Sequence, residues 1–197
     1  MVQVYLAEIP EGERGPKEQS RWAHRLLEES LKRQYPIHKP VLVERDSRGK
    51  PYLLEYPEIH INLSHSGRYV ACAIGEKPVG VDIECHRSRK KRELVVKKFH
   101  PKEQELYQAT AEEKRELLFH ELWVLKESFM KAEGSGLRIS LNSFYMEETG
   151  RETGKVIQSR DGENYFYKLY RIKDGGFSLG ACSREKDFSE KPIWLKL

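Results

Sequence analysis

The segment Glu112 to Gly134, EEKRELLFHELWVLKESFMKAEG, is the most constrained part of the chain. Leu118, Leu122, Leu125 and Phe129 recur at steps of four, three and four, one stripe of a 3.6-residue helix. Gly134 follows as the residue best suited to a left-handed helix stop. Trp123, Glu127 and Lys131 share another face at steps of four.

Shorter elements surround this helix. Val2 to Ile9 alternates loosely as a first strand, and a helix is expected over Lys17 to Tyr35 with Trp22, Leu26, Leu27, Leu31 and Tyr35 buried. Val41 to Arg45 reads as a strand before the turn Asp46 to Gly49. A strand from His60 is expected to stop at Ser64-His65-Ser66-Gly67. Arg68 to Ile74 and Val79 to Glu84 are expected to pair as an antiparallel hairpin across the turn Gly75 to Pro78. Cys85 to Arg92 is the candidate linker, followed by short helices over Glu93 to Phe99 and Lys102 to Tyr107. Strands are expected over Asn142 to Met146, Val156 to Ser159, Tyr165 to Ile172 and Phe177 to Ser183, with Asp174-Gly175-Gly176 as a hairpin turn. Each half thus offers helical material and then a hairpin. The strands RYVACAI and FSLGACS look alike, which points to two related lobes.

With 197 residues the chain suits one domain or two small lobes sharing a core. No apolar run approaches the roughly 20 residues that cross a bilayer. The start MVQVYLAEIPEGERG lacks the basic, apolar and small-residue regions of a signal peptide, so a cytoplasmic protein is expected. The net charge of +4 favours anionic ligands without singling out nucleic acid. Basic residues interleave with acids except in RSRKKR, Arg87 to Arg92. Cys72, Cys85 and Cys182 have neither metal-ligand spacing nor the even count of a disulfide framework.

In the strand VGVDIE, Asp82 and Glu84 project to one side while Val81 and Ile83 face the other. Two carboxylates this close repel unless neutralised, and a hard cation such as Mg²⁺ does so with oxygen ligands. Gly80 leaves room for close approach of a ligand. An exposed strand end with two solvated acids gives the same pattern. Glu127 is either a surface partner of Lys131 or a third carboxylate for the same cation, with positions left for water and substrate phosphate. Lys126 and Lys131 would add positive charge there. In NLSHSG, Ser64 and His65 are sequence neighbours, which is not a hydrolase arrangement; His65 fits a phosphate or ribose ligand better. Gly134-Ser135-Gly136 follows a helix, so the dipole points the wrong way for an anion. Lys17, Arg21 and Arg25 form a basic stripe, either a solvated face or an anion-binding one.

Taken together, RGKPYL, NLSHSGRYVACAI, VGVDIE and LWVLKESFMKAEGSGL resemble the 4′-phosphopantetheinyl transferases, in the larger type that includes the surfactin-synthetase activator. The pattern G-x-D-x-E followed by W-x-x-K-E-x-x-x-K is filled by Gly80, Asp82, Glu84, Trp123, Lys126, Glu127 and Lys131. The resemblance implies an α+β fold of two similar lobes with pseudo-twofold symmetry, each a helix packed on a small antiparallel sheet, with the active site in the cleft between them. We place the lobes at 1–86 and 87–197. It further implies transfer of 4′-phosphopantetheine from coenzyme A to a serine of an apo acyl, peptidyl or aryl carrier protein, with 3′,5′-ADP leaving. Asp82, Glu84 and Glu127 would hold Mg²⁺, or Mn²⁺, against the pyrophosphate. Glu127 would serve as base, Lys131 would stabilise the phosphate or leaving group, and His65 would contact the 3′-phosphate. Gly49, Lys50 and Pro51 match the segment bordering the adenosine end, with Ser64 beside them. The match weakens before Arg48, so Lys17, Arg21 and Arg25 as further contacts to coenzyme A follow from helix geometry alone. Tyr107 to Phe119 is the expected carrier-docking segment, and the duplicated form implies a monomer.

Three other classes compete. A nucleic-acid binder would use RSRKKR, but no aromatics interleave with that run. A Mg²⁺-dependent pyrophosphohydrolase would consume a nucleotide without any carrier. A non-catalytic carrier binder would leave the three carboxylates without a purpose.

Overall fold

The computed structural model describes residues 1–13, 15–87, 92–147, 152–172 and 175–197. The first half contains β1 (Gln3–Glu8), α1 (Pro16–Gln34), β2 (Val43–Arg45), β3 (Pro51–Leu53), β4 (His60–Ser66) and β5 (Tyr69–Gly75). β6 (Val79–Cys85), α2 (Arg92–Val96), α3 (Pro101–Ala109) and α4 (Glu112–Glu133) follow. The chain ends with β7 (Phe144–Met146), β8 (Thr153–Gln158), β9 (Tyr165–Tyr170), β10 (Phe177–Ser183) and β11 (Ile193–Trp194). Among the described residues no helix is long and apolar enough to cross a membrane.

The strands form two main sheets, ordered β11-β1-β5-β4 and β6-β10-β9-β8-β7, with β2 and β3 as a separate ribbon. In each lobe a first strand is followed by a helix, and a hairpin then adds its second strand to the first. β1-β5-β4 therefore corresponds to β6-β10-β9. The similar strands RYVACAI and FSLGACS become β5 and β10, the equivalent central strands of the two lobes.

The layers stack as helix, sheet, sheet, helix. α1 covers one face of the first sheet, burying Trp22, Leu26 and Leu27 against Cys72 and Ile74. The opposite faces of the two sheets meet through Val4, Leu6, Ala71 and Ala73 on one side and Val79, Val81, Ile83 and Leu179 on the other. α4 covers the outer face of the second sheet with Val124, Leu125 and Phe129. This burial removes apolar surface from water on both faces of each sheet, the main driving force for such a stack.

Several boundaries and pairings differ from expectation. The hairpin expected between β5 and β6 does not form: β5 pairs with β1 and β4, and β6 pairs with β10. The alternation of Val79, Val81 and Ile83 marks one buried face but not a hydrogen-bonding partner, and here that face packs on β5 instead of extending its sheet. Sheet membership changes between β5 and β6, ahead of the boundary after residue 86, and β11 returns to the first sheet. β4 continues through Ser66 because Ser64, His65 and Ser66 pair with Ala71, Val70 and Tyr69. Within the candidate linker and the basic run, residues 88–91 lie outside the described residues, as does Asp174 of the expected turn.

Candidate active site

Gly80, Asp82 and Glu84 face α4, the side opposite Val79, Val81 and Ile83. The helix backbone lies directly on the strand. A Cβ placed on Gly80 would sit 2.0 Å from the Ser128 carbonyl oxygen. The close approach anticipated at Gly80 is therefore made by α4, not by a ligand. Lys131 lies beside this contact on α4, with Glu127 one turn before it.

Lys131 joins the two elements. Its Nζ donates to Asp82 Oδ1 at 2.7 Å, to the Val81 carbonyl at 3.0 Å and to Ser64 Oγ at 3.1 Å. Ser64 in turn donates to Asp82 Oδ1 at 2.8 Å. Ser66 donates to Glu84 Oε2 at 3.4 Å. Asp82 is buried, whereas Glu84 and Glu127 are half-buried. As these side chains stand, no three His, Cys, Asp or Glu groups among the described residues gather closely enough to hold a metal ion. The chemistry of the donor set nonetheless fits a hard divalent cation, since carboxylates from β6 and α4 supply oxygen ligands only.

Beyond Ser66 a cleft of about 780 Å³ opens, lined by Gln19, His65, Gly67, Arg68, Cys85 and Arg87 among others. His65 sits on the opposite face of β4 from Ser64 and Ser66, at the rim. Partial burial lowers its pKa, and the nearby Lys131 charge adds to the shift. α1 reaches this region through Gln19, whose amide donates to the Gly67 carbonyl at 2.8 Å. The basic stripe does not share that position. Lys17, Arg21 and Arg25 are exposed and absent from the cleft lining, Arg21 pairs with Glu13, and Arg25 stacks 5.0 Å over Trp22. Helical spacing makes one stripe of these three residues, and α1 turns that stripe toward solvent.

A second cleft, about 380 Å³, is lined by Arg48, Lys50, Pro51, His60, Ala132 and Arg184 among others. Gly49, at φ +88°, lets the turn fold back so that its N–H bonds the Asp46 carbonyl at 2.9 Å. Lys50 is mostly buried, and its Nζ donates to the Ala132 carbonyl in the last turn of α4. Burial pulls the Lys50 pKa down to about 8. Its ammonium is thus directed at a helix C-terminus, where a cation is favoured.

Lys126 is corrected outright. It is fully buried and forms a 2.7 Å ion pair with buried Glu103. Its remaining protons go to the Leu141 and Phe144 carbonyls at 2.8 and 3.0 Å. Burial lowers the Lys126 pKa and raises that of Glu103, and the partner's charge opposes both shifts. Lys126 therefore anchors α4 to α3 and presents no charge to a phosphate. Sequence reasoning missed Glu103, although His100-Pro101-Lys102-Glu103 carries the spacing of a capping box, which forms here. It also missed Asn62, Ser66 and Gln19, whose polar character alone gave no sign of their partners.

The 4′-phosphopantetheinyl transferase superfamily model matches residues 78–182, which contain β6, α4 and the second sheet. The chain is 34% identical over 170 residues to 4′-phosphopantetheinyl transferase Sfp of Bacillus subtilis, covering 84% of this chain and 73% of that protein. It is 37% identical to 4′-phosphopantetheinyl transferase gsp of Aneurinibacillus migulanus, over 80% of this chain and 67% of that one. It is also similar to an L-aminoadipate-semialdehyde dehydrogenase-phosphopantetheinyl transferase of Xenopus laevis, 35% identical over 60% of this chain and 44% of that one.

Proposed function

The chain belongs to the 4′-phosphopantetheinyl transferase superfamily, in its Sfp-like type, and on that premise we propose how its own residues move phosphopantetheine from coenzyme A to a serine of an apo carrier protein. The carrier hydroxyl oxygen bonds to the β-phosphorus of coenzyme A as the bond from that phosphorus to the bridging oxygen breaks. The carrier gains phosphopantetheine, 3′,5′-ADP leaves, and the hydroxyl proton passes to a base.

Glu127, directly or through a water, takes that proton. Lys131 holds its ammonium where charge grows on the phosphoryl oxygens, in a loose transition state that depends on electrostatic support. Asp82, Glu84 and Glu127 would hold a divalent cation, Mg²⁺ or Mn²⁺, which when bound neutralises the pyrophosphate. His65, at the cleft rim, meets the 3′-phosphate. Ser64 serves the site from within, by orienting Asp82 and Lys131. Pro51 lines the second cleft, the one that takes the adenosine end in this reading, with Gly49 shaping its turn and Lys50 fixing the nearby end of α4.

The observation that carries this reading is the contact between Asp82 and Lys131, 49 positions apart in the chain and 2.7 Å apart in space. It brings the two halves of the motif to one point. Both lobes come from one chain, which supports a monomer, and a coenzyme A donor supports a cytoplasmic setting. The carrier is an acyl, peptidyl or aryl one, and Tyr107 to Phe119 remains the proposed docking segment. The test is release of 3′,5′-ADP from coenzyme A with and without apo carrier. Release only with carrier supports the transferase reading, and carrier-independent release points to a pyrophosphohydrolase.

A further inference from the structure

β4 and β6 are edge strands of different sheets, yet they run side by side in the same direction. Side chains of β4 replace the backbone ladder. Val81 N–H donates to Asn62 Oδ1 at 2.9 Å, Ile83 N–H to Ser64 Oγ at 3.3 Å, and Cys85 N–H to Ser66 Oγ at 3.0 Å. The two-residue step on β4 matches that on β6, so each rung fixes the next. Without these acceptors the Val81 and Ile83 N–H groups would be buried and unsatisfied, a cost that native structures avoid.

The two serines repeat one unit. Ser64 accepts from Ile83 N–H and donates to Asp82 Oδ1; Ser66 accepts from Cys85 N–H and donates to Glu84 Oε2. A hydroxyl has one proton. Accepting from the strand amide leaves that proton for the neighbouring carboxylate. Asn62, one step earlier, shares a rung beside Gly80, where there is no carboxylate to orient.

We propose that Asn62 and Ser66 are positioning residues of the transfer site: Asn62 sets the register of β6 against β4, and Ser66 aims the Glu84 carboxylate. Neither touches the reacting atoms. The proposal rests on the reading of Asp82 and Glu84 as cation ligands given above.

The test uses Mn²⁺ alone as probe, with bound metal read from the loss of the free-ion paramagnetic resonance signal and thermal unfolding recorded alongside. Ser66→Ala is expected to weaken Mn²⁺ binding about tenfold, the lower end for a lost partner of a ligand. Ser66→Thr keeps the hydroxyl and is expected to retain wild-type binding. Ser66→Cys keeps the volume, loses the strong acceptor, and is expected to follow Ser66→Ala, so a folding defect in the alanine variant leaves the test intact. Asn62→Ala is expected to lower the unfolding temperature and the Mn²⁺ affinity together, because it acts through the strand. Wild-type Mn²⁺ affinity in folded Ser66→Ala or Ser66→Cys, with Asp82→Asn deficient, would overturn the positioning role alone. Wild-type affinity in Asp82→Asn as well would overturn the cation reading beneath it.

Discussion

Lys131 of α4 reaches Asp82 of β6 at 2.7 Å, and the same ammonium touches Ser64 Oγ and the Val81 carbonyl. One lysine thus ties the helix to the strand that carries the two acids. In the proposed transfer the same charge supports the phosphoryl oxygens of the transition state. Lys131→Ala is expected to lower kcat by about two to three orders of magnitude, with a smaller change in KM for coenzyme A. Steady-state kinetics on the folded variant measures this, and a near-normal kcat would remove Lys131 from the chemistry.

The acids should behave differently from the lysine. Asp82→Ala and Glu127→Ala are each expected to lose nearly all turnover while keeping wild-type circular dichroism: each removes a proposed oxygen ligand, and without Asp82 the Lys131 ammonium still bonds Ser64 and the Val81 carbonyl. Substantial turnover at saturating Mg²⁺ in either folded variant would contradict their roles.

Gly80 carries a structural load. Any side chain there meets the Ser128 carbonyl oxygen at 2.0 Å and the Ala132 nitrogen at 2.5 Å, both of them backbone. Neither atom can move without shifting α4. Gly80→Ala is expected to cost about 2 kcal/mol or more, as overpacking against a rigid neighbour does. Urea unfolding measures it, and an unchanged midpoint would mean that α4 is free to slide.

How far the sequence alone reached is clearest at α4 and β6. The bounds Glu112–Glu133 and the stop at Gly134, φ +88°, follow from a four-three-four apolar period and one glycine, both local signals. So does the shared face of Asp82 and Glu84, which needs only the two-residue period of a strand. The partner of β6 was not legible, because alternation states which face is buried and not which strand lies beside it. Lys126 and Lys131 look equivalent in the sequence; only tertiary packing turns one toward Glu103 and the other toward Asp82. The stripe of Lys17, Arg21 and Arg25 is real, but its direction depends on how α1 sits on its sheet.

The pair Lys126–Glu103 is a core ion pair whose remaining bonds are satisfied. Removing one partner leaves the other charged and buried. Lys126→Met is expected to destabilise by about 3–5 kcal/mol, and the double variant Lys126→Met/Glu103→Leu to recover part of that loss. A double variant no more stable than Lys126→Met would show that the hydrogen bonds of Glu103 to Met146 and His100 outweigh the ion pair.

Lys50 makes stability depend on alkaline pH. Its pKa falls from 10.5 to about 8 in the folded chain, mainly through burial. Between those values the unfolded chain binds the proton more, so this group's contribution to stability rises with pH from about 8 toward 10.5. Below 8 both states hold the proton and the penalty of burying the charge is fully present. The wild-type stability should therefore climb more steeply, or fall less, between pH 8 and 10 than that of Lys50→Met. Parallel curves for the two proteins would place the lysine in solvent.

In the proposed reaction one chain transfers phosphopantetheine from coenzyme A to a carrier serine. Intact mass spectrometry of an apo carrier protein, after incubation with this protein, coenzyme A and Mg²⁺, tests it most directly, with an EDTA arm as control. The expected result is a gain of one phosphopantetheine per carrier, lost with EDTA and lost when the carrier serine is replaced by alanine. An unmodified mass on acyl, peptidyl and aryl carriers alike, with the enzyme folded, would contradict it.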